Sequence, residues 1–104
     1  MKNLTQQEWE EKIAADENAV VLDVRTNLEC AQGTLEKAQC LDIFQRDSFL
    51  AGLEKMDKSK SYYVYCRSGQ RSASACQIMD QMGFENTNSL IGGISGWKGE
   101  IVKG

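Results

Sequence analysis

Apolar residues near the start of the chain recur at the spacing of an α-helix. Trp9 and Ile13 fall on one face of a helix, about one turn apart. Thr5 and Glu8 stand three positions apart, the spacing of a capping box, in which each side chain bonds the backbone N–H of the other residue. The pattern predicts a first helix over residues 6–15.

Two later segments are continuous apolar runs without alternation. Residues 19–22 read Ala-Val-Val-Leu and end at Asp23, and residues 62–65 read Tyr-Tyr-Val-Tyr and end at Cys66. Short runs of this kind, rich in β-branched and aromatic residues, are typical of strands buried on both faces, as in parallel sheets. Further short strands are predicted at residues 38–43 and 87–91.

The segments between these strands have helical patterns and turn signals. We predict helices after Thr26, over residues 47–53 with Asp47 at the cap, over residues 72–82 before Gly83, and around Trp97. Strands that alternate with helices form right-handed βαβ units and a parallel sheet. The expected fold is an α/β domain with a four- to five-stranded, mainly parallel central sheet, helices on both faces, and residues 62–65 in the middle.

Length and composition are those of an ordinary globular chain. With 104 residues, 41% of them apolar and 26% charged, the sequence predicts one domain over residues 1–104. The first twelve residues contain no apolar run of the kind found in signal peptides, and no segment approaches the roughly 18 apolar residues that cross a bilayer. We therefore expect a cytoplasmic protein with no membrane partner.

Charge is distributed unevenly along the chain. The formal net charge is −3, which argues against general nucleic-acid binding because such proteins carry a basic surface. Residues 58–79 nevertheless contain four basic residues and no acidic one. An anion site, if the chain has one, is expected in this segment.

The four cysteines stand at positions 30, 40, 66 and 76, and the chain contains no histidine. No Cys-x-x-Cys pair is present, so the spacing indicates neither the disulfide framework of a small secreted domain nor a zinc site. We expect free thiols, and neither a metal nor another cofactor.

One cysteine stands at the start of a loop suited to anion binding. Residues 66–72, Cys-Arg-Ser-Gly-Gln-Arg-Ser, join a buried strand to a helix, so their N–H groups converge near the positive end of the helix dipole. Gly69 allows tight curvature, and two arginines add positive charge. Cations and helix N-termini favour thiolates, so we expect Cys66 to be a reactive nucleophile rather than a small core residue. Cys76 lies on the apolar stripe of the next helix and is expected in the core.

This loop and other segments resemble the single-domain rhodaneses. The loop at residues 66–72 is similar to the active-site loop of that family, and Val-Leu-Asp-Val-Arg-Thr at 21–26 and Leu-Ile-Gly-Gly-Ile-x-Gly-Trp at 90–97 match in the same order. The resemblance implies a parallel-sheet α/β fold. It also implies transfer of sulfane sulfur from a small anionic donor such as thiosulfate to cyanide, a thiol or a protein acceptor.

The resemblance assigns roles residue by residue. It makes Cys66 the catalytic residue, which carries the sulfur as a persulfide. It places the donor and the persulfide against Arg67, Ser68, Gly69, Gln70, Arg71 and Ser72. A mainly structural motif is matched by Asp23, Arg25 and Glu29, and the i, i+4 spacing of Arg25 and Glu29 favours an ion pair between them.

The chain departs from the family pattern at residues 33–38. It reads Gly-Thr-Leu-Glu-Lys-Ala where the family usually has Gly-His-Ile-Pro-Gly-Ala, and Asn27 replaces a common proline. These positions belong to a loop at the edge of the predicted active site, so the changes bear on acceptor docking and loop rigidity more than on the nucleophile.

Two other functions compete with sulfur transfer. Phosphatases and arsenate reductases with this fold use Cys-x5-Arg, whereas here the arginine comes one position early, at Arg71, and position 72 is serine. The shorter loop suits the single outer sulfur of a persulfide. Rhodanese-like interaction modules form the other alternative; these often lose the loop cysteine, which this chain retains.

Overall fold

Five parallel strands form the sheet of the computed structural model, which describes residues 1–103. The strands are β1 (Lys2–Leu4), β2 (Val20–Asp23), β3 (Gln39–Cys40), β4 (Ser61–Tyr65) and β5 (Asn86–Leu90). Their order across the sheet is β1-β5-β4-β2-β3. The predicted parallel α/β fold is therefore confirmed, with the aromatic strand β4 in the centre.

Four α-helices and one 3₁₀-helix connect and cover the strands. They are α1 (Gln6–Ala14), α2 (Asn27–Ala31), α3 (Arg46–Glu54), α4 (Gln70–Gln81) and the 3₁₀-helix Ile94–Gly96. Both predicted capping boxes form, at the starts of α1 and α2. The expected cap at Asp47 is wrong, because α3 begins at Arg46 after Gln45, which makes no side-chain capping bond. The last predicted helix is a single 3₁₀ turn.

The core is divided by the sheet into two layers. On one face α3 and α4 pack against Leu22 and Val64 of the central strands and against Cys66, which follows β4. On the other face Trp9 of α1 packs edge-on against Tyr63, with ring centroids 5.6 Å apart. Helices therefore cover both faces, and every loop that follows a strand opens at the same carboxyl edge of the sheet.

Strand β1 was not predicted from the sequence. It spans three residues, and only Leu4 among them is buried. A strand this short has no alternation to detect. It forms because it pairs with β5, and the pairing continues past the strand where the Ile91 N–H donates to the Leu4 carbonyl at 2.8 Å.

A disulfide corrects the prediction for two cysteines. Cys30 of α2 is bonded to Cys40 at the end of β3, whereas Cys66 and Cys76 are free and buried. The spacing of residues gave no sign of this bond, which depends on α2 folding back over the edge strand.

Among residues 1–103, no helix is long and apolar enough to cross a membrane.

Candidate active site

Cys66 directly follows the central strand, and its side chain is almost fully buried, with 1% of the residue exposed. Its carbonyl accepts the Ile94 N–H at 2.9 Å, and the Arg67 carbonyl accepts the Ser95 N–H at 3.0 Å. Gly93 makes this approach possible, since a Cβ there would lie 2.5 Å from both carbonyl oxygens. The segment after β5 thus fixes the backbone of Cys66, a role that sequence reasoning did not assign to Gly93.

The Cys66 sulfur lies inside the predicted turn. The Gly69 N–H donates to Sγ at 3.1 Å and the Ser72 N–H at 3.3 Å, and Ser72 Oγ lies 3.6 Å away. Gly69 has a φ of 110°, a left-handed conformation that glycine adopts readily. This turn aims the loop amides at the sulfur and starts α4 at Gln70, two residues earlier than predicted.

These contacts determine the ionisation of the thiol. Burial raises the pKa of Cys66, but hydrogen bonds from the Ser72 amide and hydroxyl and from the Gly69 and Ser68 amides outweigh it, so the net pKa is lowered. A lower pKa increases the thiolate fraction near neutral pH, and the thiolate is the nucleophilic form. The loop therefore holds a buried, activated sulfur.

We call the Gly69 and Ser72 groups that surround the Cys66 sulfur the cradle. Ser89, which sequence reasoning missed, supports the cradle through Ser72. Its hydroxyl lies 2.7 Å from Ser72 Oγ, which also lies 3.1 Å from the Gly69 carbonyl oxygen. Both serines are buried. The signal available in the sequence was the polar run Asn-Thr-Asn-Ser in a strand that the topology buries, because buried polar side chains need hydrogen-bond partners.

The remaining loop side chains do not all face the sulfur. Arg71 forms an ion pair with Glu29 of α2, at 2.8 Å, and its guanidinium lies 5.5 Å from the ring centre of Phe44. Arg67, Ser68 and Gln70 are exposed to solvent. The structure thus brings backbone amides of the loop to Cys66, while Arg71 is turned toward α2 and Arg67 toward solvent.

Comparison with known proteins agrees with this geometry. The family model for the rhodanese-like domain matches residues 5–100. The chain belongs to the rhodanese-like family. A putative sulfurtransferase, YtwF of Bacillus subtilis, is 36% identical over 103 residues, covering 96% of this chain and 93% of that protein. The thiosulfate sulfurtransferase GlpE of Coxiella burnetii is 32% identical over 90 residues, covering 86% and 79%.

A solved structure has the same architecture. The rhodanese-related protein of Thermoplasma volcanium superposes with a TM-score of 0.85 at 25% identity and full coverage of both chains. Some relatives have other names: a tRNA uridine(34) hydroxylase of Pelagibacter ubique is 30% identical over 92 residues, but the chain spans 31% of its length. Together the relatives support a rhodanese-type sulfurtransferase.

Asp23 and Arg25 form a buried ion pair at the end of β2. Arg25 donates from Nε at 2.9 Å and from Nη2 at 2.6 Å to the Asp23 carboxylate, and Nη2 also reaches the Gly33 carbonyl at 2.7 Å. The expected pair between Arg25 and Glu29 is wrong, because Asp23 already holds Arg25 and Glu29 turns to Arg71. The hydrogen bond from Arg25 to the Gly33 carbonyl thus holds the loop that follows α2 against the end of β2.

The other free cysteine has the opposite electrostatic setting. Cys76 is fully buried in α4, and burial raises its pKa to about 12. It therefore stays a neutral thiol in the core near pH 7, as expected from its position on the apolar stripe.

Within residues 1–103 there is no group of three or more Cys, Asp or Glu side chains placed to hold a metal ion.

Proposed function

We propose that this rhodanese-like chain transfers sulfane sulfur from a small anionic donor such as thiosulfate to a thiophilic acceptor, through a persulfide on Cys66. The observation that carries the proposal is the Cys66 sulfur with two loop amides within 3.3 Å and a lowered pKa. A thiolate with converging N–H donors is suited to attack sulfur and to stabilise the sulfur anion that attack and release require.

In the first half-reaction the Cys66 thiolate attacks the outer sulfur of thiosulfate. A new S–S bond forms, the S–S bond of thiosulfate breaks, and sulfite leaves with the electron pair. The outer sulfur is then carried on the Cys66 Sγ, which the Gly69 and Ser72 amides hold in place. Arg67, which makes no ion pair among residues 1–103, supplies positive charge for the arriving dianion.

In the second half-reaction a nucleophile takes the outer sulfur. Cyanide or a thiolate attacks it, the Cys66 S–S bond breaks, and the Cys66 thiolate leaves with the electron pair. The product is thiocyanate or an acceptor persulfide. The same amides that favour the thiolate before the first attack make Cys66 a good leaving group here, since leaving thiols of lower pKa depart faster.

Substrate-contact roles for Ser68, Gly69, Gln70 and Ser72 belong to this proposal. Gly69 and Ser72 act through their backbone N–H groups, and Ser72 also through its hydroxyl. The side chains of Ser68 and Gln70 are exposed at the loop mouth, where donor and acceptor enter. The expected cytoplasmic location stays a prediction.

Thiocyanate formation from thiosulfate and cyanide tests the proposal. Wild-type protein should form thiocyanate, and after thiosulfate alone its mass should rise by one sulfur atom. Cys66→Ala should lose both, whereas Cys76→Ala, the matched change of the other free cysteine, should retain most of the turnover. Turnover in Cys66→Ala, or none in folded wild type, would refute sulfur transfer through Cys66.

A further inference from the structure

The most exposed large apolar side chains of residues 1–103 surround the Cys66 loop. Leu28 is 75% exposed, Phe44 66% and Ile91 57%, and the next, Met1, is 47%. Single exposed apolar residues are ordinary on protein surfaces, but a cluster at a functional site marks an interaction surface. We call Leu28, Phe44 and Ile91 the apolar rim.

The fold places all three residues of the apolar rim at one edge of the sheet. Leu28 follows β2, Phe44 follows β3 and Ile91 follows β5, and the carboxyl ends of parallel strands share one edge. Cys66 follows β4 at that same edge, between the loops of β2 and β5. The rim therefore flanks the nucleophile on both sides.

The neighbours of each rim residue lie near the cradle. The Phe44 ring centre lies 5.5 Å from the guanidinium of Arg71, which directly precedes Ser72, and Leu28 directly precedes Glu29, to which Arg71 is paired. On the opposite side, a Cβ built at Gly69 would lie 3.8 Å from the backbone of the residues that flank Ile91, at Leu90 O and Gly92 N. No side chain of the described chain covers the rim well enough to bury it.

Arg67 supplies exposed positive charge at the loop mouth, whereas the Asp42 carboxylate lies beside Phe44 and accepts its N–H at 2.8 Å. Arg67 is exposed and makes no ion pair within the described part of the chain, and residues 58–79 contain no acidic residue. A partner that covers the apolar rim therefore matches it best with apolar side chains and nearby carboxylates. Cyanide and small thiols have no apolar surface for the rim to bind.

We propose that the apolar rim docks a protein that presents its acceptor cysteine in an apolar, acidic surface, so that the sulfur acceptor is a protein thiol. The inference rests on the proposed function and narrows its acceptor. The protein thiolate attacks the outer sulfur of the Cys66 persulfide, the Cys66 S–S bond breaks, and Cys66 leaves as a thiolate with the electron pair. The acceptor carries away the persulfide.

Acceptor kinetics with rim variants test the docking surface. The probes are cyanide, glutathione, and two cysteine peptides of equal length, one with leucine, phenylalanine and aspartate around the cysteine and one with serine and lysine. Leu28→Gln and Ile91→Gln should each lower kcat/KM for the apolar, acidic peptide about fivefold, on the scale of one interface side chain. The cyanide reaction of both variants should match that of wild type.

Ile101→Gln is the matched control, because Ile101 is 37% exposed and packs beside Gly33, outside the rim. It should react like wild type with every acceptor, and wild type should prefer the apolar, acidic peptide to the serine–lysine peptide and to glutathione. Equal rates for all thiols would overturn the inference, as would equal losses with cyanide in the rim variants. A wild-type dimer that Leu28→Gln dissociates would assign the rim to a second copy instead. Absence of thiocyanate formation in wild type would refute the proposed function itself.

Discussion

Glu29 of α2 and Arg71 of α4 form a two-point ion pair, with Nη1 donating to Oε1 at 2.8 Å and Nη2 to Oε2 at 3.1 Å. The residues are 42 positions apart in the chain, so the pair ties the helix that begins at the cradle to the helix that follows β2. Glu29 also accepts the Thr26 N–H at 3.1 Å. The capping box of α2 therefore orients the carboxylate that holds Arg71.

The Glu29 ion pair should make stability depend on acid. The hydrogen bond from Arg71 lowers the pKa of Glu29 to about 2. Because this folded pKa is below that of the unfolded chain, about 4.3, the contribution is complete above about pH 5 and is lost as pH falls toward about 2. Glu29→Gln should lower the free energy of unfolding by about 1–2 kcal/mol at pH 7, less than the pKa implies because the pair is partly exposed.

Urea unfolding at several pH values measures this effect. The difference between wild type and Glu29→Gln should shrink steadily from pH 5 to pH 2. Glu85→Gln is a suitable control, since Glu85 is exposed and makes no ion pair within residues 1–103. A difference that stays constant down to pH 2 would show that Glu29 stabilises the fold through packing rather than charge.

Ser72 should control the reactivity of Cys66. Its amide and hydroxyl lower the pKa of Cys66 against the opposing effect of burial. The rate of Cys66 alkylation by iodoacetamide should reach half its maximum at a pH below the 8.5 or so of a free cysteine. Ser72→Ala removes the hydroxyl and leaves the amide, so the half-maximum should move to higher pH and the rate at pH 7 should fall.

Ser68→Ala is the control for this measurement, because Ser68 acts on the sulfur through its backbone amide and its side chain is exposed. That variant should keep the wild-type profile. Identical profiles for Ser72→Ala and wild type would mean that backbone amides alone set the pKa of Cys66.

The sheet and the position of the Cys66 loop could be predicted because their signals are local. Two uninterrupted apolar runs define β2 and β4, and the loop after β4 places amides, glycine and Cys66 together within seven residues. The partners of charged side chains could not be predicted in this way. Arg25 bonds a residue two positions away and Glu29 one 42 positions away, and helical spacing indicates neither choice.

The Cys30–Cys40 disulfide leads to a prediction about thiol content and stability. Denatured, unreduced protein should have two reactive thiols, from Cys66 and Cys76, and reduced protein four. The bond closes a loop with a sequence separation of 10. The double variant Cys30→Ser/Cys40→Ser should therefore lose about 2–3 kcal/mol of unfolding free energy. Wild type kept under reductant should unfold like the variant, and four reactive thiols without reductant would contradict the bond.

A turn forms at residues 35–38 without the proline and glycine that the family usually has there. The Ala38 N–H donates to the Leu35 carbonyl at 3.2 Å, and Lys37 has a φ of 63°, the single left-handed residue other than glycine within residues 1–103. Tertiary contacts impose this conformation, because Leu35 is buried and its N–H donates to the Tyr65 hydroxyl at 2.9 Å.

Lys37→Gly should stabilise the protein by about 0.5–1 kcal/mol, because glycine adopts a left-handed φ at little steric cost. Thermal unfolding measures the gain. Lys37→Ala also removes the exposed charge but keeps a Cβ, so it should show little of that stabilisation. Equal gains in the two variants would trace the effect to charge and not to the backbone.

Arg67 and Arg71 should affect different kinetic constants. Arg67 is exposed and unpaired among residues 1–103, so Arg67→Ala should raise KM for thiosulfate about two- to fivefold with a smaller change in kcat, as expected for an exposed charge that binds the donor. Arg71→Ala breaks the pair with Glu29 and frees the start of α4, so kcat should fall about tenfold as the cradle loosens. Arg71→Lys keeps the charge but not the two-point geometry, so its kcat should lie between those of wild type and Arg71→Ala.

High salt should reduce the rise in KM caused by Arg67→Ala, because it screens the exposed charge. It should leave most of the fall in kcat caused by Arg71→Ala, because that fall depends on the position of the helix start. Steady-state kinetics at low and high ionic strength measures all of these constants, and a shared, salt-sensitive rise in KM would instead show that Arg71 leaves Glu29 to bind the donor.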